Sequence, residues 1–94
     1  LIGMSRTWAL ELAPHNITVN VIAPGPVATE LFKQASPPDA EQTRALLAAV
    51  PLQRVSEPEE IAHAIGFLLH PLSGYMTGQT LHIDGGLTIS TTRL

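Results

Sequence analysis

The stretch Asn20-Val-Ile-Ala-Pro-Gly-Pro-Val-Ala-Thr29 is where this chain could hold a small molecule. A β-branched run breaks off at Pro24-Gly25-Pro26, and a hydroxyl follows at Thr29. Glycine has no side chain to keep a neighbour away, so backbone at such a strand exit can approach a ligand closely. In open α/β sheets, ligands bind beyond the carboxyl ends of the strands. The bland alternative is an ordinary strand-exit turn. Other candidates for chemistry are thinner. The histidines are His15, His63, His70 and His82, and none pairs at i, i+4 with an acidic residue in the frame a metal needs. No metal site is expected. Tyr75 is the single tyrosine and reads as a packing residue. Glu57, Glu59 and Glu60 crowd a helix start, where the macrodipole favours negative charge without any acid–base role. Asp84-Gly85-Gly86 reads first as a tight turn.

The composition narrows the setting. The chain has 94 residues, 45% of them hydrophobic and only 14% charged, against roughly 25% charged in an ordinary domain. A large share of its surface therefore expects a cover. The net charge is −3, and the five basic residues (Arg6, Lys33, Arg44, Arg54, Arg93) are scattered. No nucleic-acid footprint is built from them. There is no cysteine, no apolar run near the ~20 residues of a membrane span and no visible signal peptide. The default address is cytoplasmic. Residue 1 is Leu, which suggests a piece of a longer protein.

These residues need elements to place them. Residues 1–13 predict a helix with Leu1, Met4, Trp8 and Leu12 along one face, wide enough for two packing partners. Pro14, His15 and Asn16 end it. Residues 17–23 predict a strand covered on both faces, with Asn20 as the polar intruder in a structural role. Asp39 can cap a helix over 40–50, closed by Pro51. Ser56 and Glu59 suggest a capping box for a helix over 56–69, with Ile61, Ile65, Leu68 and Leu69 as its buried stripe. Residues 79–83 predict a second strand. Two parallel strands joined by a helical crossover cannot stand alone as a covered sheet. The fold class expected is α/β, the C-terminal part of a doubly wound, Rossmann-like parallel sheet, with residues 1–94 as part of one domain.

Three blocks in order, "SRTWALELAPHNITVNVIAPGPVATE", "PLQRVSEPEEIAHAIGFLL" and "GYMTGQTLHIDGG", resemble the short-chain dehydrogenase/reductase family, including its 3-oxoacyl-carrier-protein reductase-like members. The resemblance covers Leu1 to about Gly86. It implies an oxidoreductase that interconverts an alcohol and a carbonyl with NAD or NADP. By this resemblance Pro24, Gly25, Val27 and Thr29 bind the cofactor. The Val27 backbone would hold the nicotinamide carboxamide, and the Thr29 hydroxyl the carboxamide or a nearby phosphate. Residues 30–50 correspond to the family's substrate segment, in which Leu31 and Phe32 would face substrate. A homo-oligomer is implied for the parent protein.

The family's catalytic Tyr and Lys, four residues apart, have no match here. Position 79, four after Tyr75, is Gln, and Lys33 lies on another segment. The glycine-rich pyrophosphate turn is missing as well. No catalytic residue is therefore assigned in these 94 residues, which alone are expected to be inactive. The reading of another class is a non-catalytic remnant or association module.

Overall fold

The computed structural model of the chain describes residues 1–28 and 41–90. Its elements run α1 (Ile2–Leu12), β1 (Val21–Pro24), α2 (Glu41–Ala49), α3 (Pro58–Leu69) and β2 (Thr80–Ile83), with short 3₁₀ turns at Ala13–His15, Pro71–Ser73 and Leu87–Ile89. β1 and β2 pair in parallel, Val21 opposite Thr80 and Pro24 opposite Ile83. α2 and α3 lie in the crossover between them. This is the expected α/β arrangement, a Rossmann-like unit.

β1 starts later than the β-branched run suggests. The cause is Asn20. Its side-chain amide donates to the Met76 carbonyl (3.0 Å) and its side-chain oxygen accepts from the Gln79 N–H (3.1 Å). The Val19 N–H goes to the Thr77 hydroxyl at 3.0 Å. Side chains thus take over bonds that a ladder would make. Regular pairing begins only at Val21, whose N–H reaches the Gln79 carbonyl at 2.9 Å. The structural reading of Asn20 stands.

α1 ends through the 3₁₀ turn at Pro14, with Asn16 in the left-handed region at φ 59°, a conformation asparagine tolerates. α2 ends one residue short of the expected boundary, and the bend at Val50 leads into Pro51. The start of α3 is shifted by one residue from the expected box. Ser56 is drawn into a parallel bridge with Val27, so Glu57 becomes the N-cap and Pro58 the first helical residue. The Glu57 N–H donates to the Glu60 carboxylate at 2.9 Å. Glu60 also receives a two-pronged bond from Arg54, at 2.7 and 2.9 Å, which fastens the turn before α3 to its first coil. Asp39 lies outside the described residues.

The core is thin. Ala9, Ala49, Val50 and Ala64 are the buried apolar residues among those described. The predicted apolar faces exist but are open. Leu1, which precedes α1, and Met4 and Trp8 on it are exposed, and so are Ile65 and Leu69 on α3. Thr18, Asn20, Ile22 and Pro24 face Ile61, Ile65, Leu68 and Leu69 across an open groove of about 510 Å³. Tyr75 does not pack before β2 as expected. It is fully exposed.

Candidate functional site

The loop after β1 is anchored at three points. The Gly25 N–H donates to the Ile83 carbonyl at 3.0 Å. The Ser56 N–H donates to the Pro26 carbonyl (2.9 Å), and the Ala28 N–H to the Ser56 carbonyl (2.8 Å). These last two make the Val27–Ser56 bridge. In such a bridge the N–H and C=O of the middle residue point away from the partner. The Val27 N–H and C=O therefore face the side opposite Ser56, and neither has a hydrogen bond among the described residues. A donor and an acceptor presented side by side match an amide group, which offers the complementary pair.

Gly25 has a reason for being glycine within the chain itself. A Cβ there would stand 2.9 Å from the Asp84 Cα and 3.1 Å from its Cβ. The loop lies directly against the turn that ends β2. Pro24 sits at the last paired position of β1 and is exposed, as a residue without an N–H can be on an unpaired strand edge. Thr29, Leu31 and Phe32 lie outside the described residues.

The Asp84 turn is built as its sequence suggests. Gly85 and Gly86 have φ of 62° and 94°. The Asp84 carboxylate accepts from the N–H groups of Gly86 and Thr88, each at 3.0 Å, and from the Thr88 hydroxyl. The Thr88 hydroxyl bond foremost, then the backbone donors, holds the Asp84 carboxyl below its ordinary pKa. Beside the turn lies a cleft of about 450 Å³, bordered by Leu52, Arg54, Ser56, Glu60, His82 and Asp84. Glu60 is held down to about 2, first by the bonded Arg54 guanidinium and then by the Glu57 N–H. No group of three or more His, Asp and Glu able to hold a metal occurs among the described residues. No helix among them is long and apolar enough to cross a membrane.

Sequence reasoning did not find Ser56 and Asp84 as the supports of the loop. Ser56 lies 29 positions from Val27, and Asp84 lies 59 positions from Gly25, so no local pattern links them.

A parallel pair with a helical crossover is an α/β, Rossmann-like arrangement. A profile of the family described as Enoyl-(Acyl carrier protein) reductase matches residues 1–88. The 3-oxoacyl-acyl-carrier-protein reductase FabG of Thermotoga maritima is 47% identical over 89 residues, which are 95% of this chain and 35% of that protein. The reductase of the same name from Escherichia coli is 42% identical over 87 residues, 93% of this chain and 34% of that one. Among solved structures, a short-chain dehydrogenase/reductase from Serratia marcescens superposes with a TM-score of 0.83 at 38% identity, covering 93% of this chain and 34% of that one. A blue fluorescent protein from a metagenomic library, solved in complex with NADPH, gives 0.80 at 37% identity, covering 92% and 33%. The chain belongs to the short-chain dehydrogenase/reductase family. It spans about a third of the length of the curated relatives it matches.

Proposed function

We propose that these residues form the C-terminal part of the single Rossmann-like domain of an NAD(P)-dependent oxidoreductase that interconverts an alcohol and a carbonyl. The observation that carries the reading is the N–H and C=O of Val27, turned away from Ser56, without a hydrogen bond among the described residues and lying beyond the carboxyl end of β1. Val27 holds the nicotinamide carboxamide by its backbone. Pro24 and Gly25 shape the approach, and Thr29 adds its hydroxyl. Fixing the ring sets the hydride at reacting distance, a positioning contribution. Leu31 and Phe32 face the substrate. The similarity to reductases named for 3-oxoacyl carrier protein favours a ketone as the group reduced.

The 94 residues alone turn over no substrate, because no Tyr–Lys pair four apart occurs in them. The test is a chimera in which this chain replaces the matching third of the Thermotoga maritima reductase. The expected result is reduction of a 3-oxoacyl thioester with NADH or NADPH by the chimera and none by the 94 residues. A folded chimera that binds neither NADH nor NADPH would refute the proposal.

A second reading, an association module, is favoured by the open faces of α1 and α3. Leu1, Leu10 and Leu69 are each more than three-quarters exposed. The parent protein is then a homo-oligomer that buries part of this surface. A full-length protein that sediments as a monomer would contradict it.

A further inference from the structure

The Asp84-Gly85-Gly86 turn is gripped from two sides. On one side is the loop after β1, where only glycine at 25 leaves room for the Asp84 backbone. On the other is the exit of α2. A Cβ on Gly85 would stand 2.7 Å from the Val50 Cγ1, and one on Gly86 would stand 2.9 Å from the Pro51 Cγ. The Leu52 N–H donates to the Gly85 carbonyl at 3.1 Å, closing the second side.

Val50 is 1% exposed, the largest fully buried side chain among the described residues. Its methyl groups have no free space to enter, and close-packed interiors transmit strain. The carboxylate of Asp84, tied to Gly86 and Thr88, keeps the turn from yielding internally. Gly85 thus stands against Val50 and Gly25 against Asp84, with no room at either place for a side chain.

We infer that Val50, Gly85 and Asp84 are positioning residues that set the height of the Pro24–Val27 loop from the exit of α2. Their effect on a cofactor rests on the reading of Val27 given above. The mechanical link does not. α2 lies within residues 30–50, the segment assigned above to substrate, so the turn links the end of that segment to the loop after β1. A shift at the end of α2 reaches Gly25 through the turn, although no backbone hydrogen bond joins α2 to that loop among the described residues.

The test uses the folded chimera described above, labelled with ¹⁵N and without cofactor. Amide hydrogen exchange is read at Gly25, bonded to Ile83, and at Val21, bonded to Gln79 in the same sheet but away from the turn. In Gly85→Ala the added methyl meets Val50. Exchange at Gly25 is expected to rise about tenfold while Val21 stays within about twofold, as local opening allows. In the double variant with Val50→Ala, much of the Gly25 protection returns. Equal acceleration at both amides, or no recovery in the double variant, would overturn the inference. If Gly85→Ala does not fold, Val50→Ala alone decides. It must move the Gly25 and Val27 amide signals, and unmoved signals overturn the inference. With no cofactor present, failure here leaves the cofactor reading to the chimera's cofactor binding, and failure of that binding leaves this result intact.

Discussion

Two residues carry more than their types advertise. Asn20 stands alone as a polar group in a β-branched run, and its amide does the work of two ladder bonds against residues 76–79. Asn20→Ala leaves the Met76 carbonyl and the Gln79 N–H without those partners. The expected cost is about 1–3 kcal/mol, read by denaturant unfolding. Gly25→Ala places a methyl against the Asp84 backbone, which cannot move aside as a side-chain tip could. Overpacking of this kind costs about 1–3 kcal/mol, and the same unfolding measurement checks it. That Asn20 is structural was legible in the sequence, because a lone amide in a β-branched, apolar run must find partners. That Gly25 answers to Asp84 was not, because the two meet only once the crossover has brought β1 and β2 side by side.

At the scale of elements, the two strands and three helices of the described residues, and their order, follow from β-branched runs, helix formers and prolines. The ends of those elements do not. The Ser56–Glu59 pattern reads as a capping box, yet the bridge to Val27 claims Ser56 and moves the cap to Glu57 and Glu60. A local rule loses there to a tertiary hydrogen bond. The start of α3 also has a pH dependence with a definite sign. The Glu60 carboxyl is held down to about 2 by Arg54 and the Glu57 N–H. Its stabilising effect is fully present above the ordinary carboxyl pKa of about 4.3 and is lost as pH falls through about 2. Helicity followed by circular dichroism should therefore fall between those values. In Glu60→Gln that part of the transition should be missing. An unchanged acid transition would mean that the pair does not hold the helix start.

At the scale of the whole molecule, the faces predicted as apolar are present but uncovered. The radius of gyration is 15.9 Å, against about 12 Å for a compact domain of this length. So few charges and such open helix faces should make the isolated chain associate, since exposed apolar patches of this kind mark interaction surfaces. Trp8, the single tryptophan, is 43% exposed on α1. Its emission should shift to the blue as concentration rises, together with a growing sedimentation coefficient. A monomer with constant emission would show that the α1 face stays in water. The central claim remains the backbone of Val27, and kinetics in the chimera test it most directly. The Val27–Ser56 bridge uses the backbone of Pro26 and Ala28, so Val27→Pro removes the Val27 N–H without removing a bridge bond. The account predicts a KM for NADPH raised about tenfold or more in Val27→Pro, the scale of one lost hydrogen bond to the ligand, with Val27→Ala close to the parent chimera. Equal KM values in all three would show that the nicotinamide is held elsewhere.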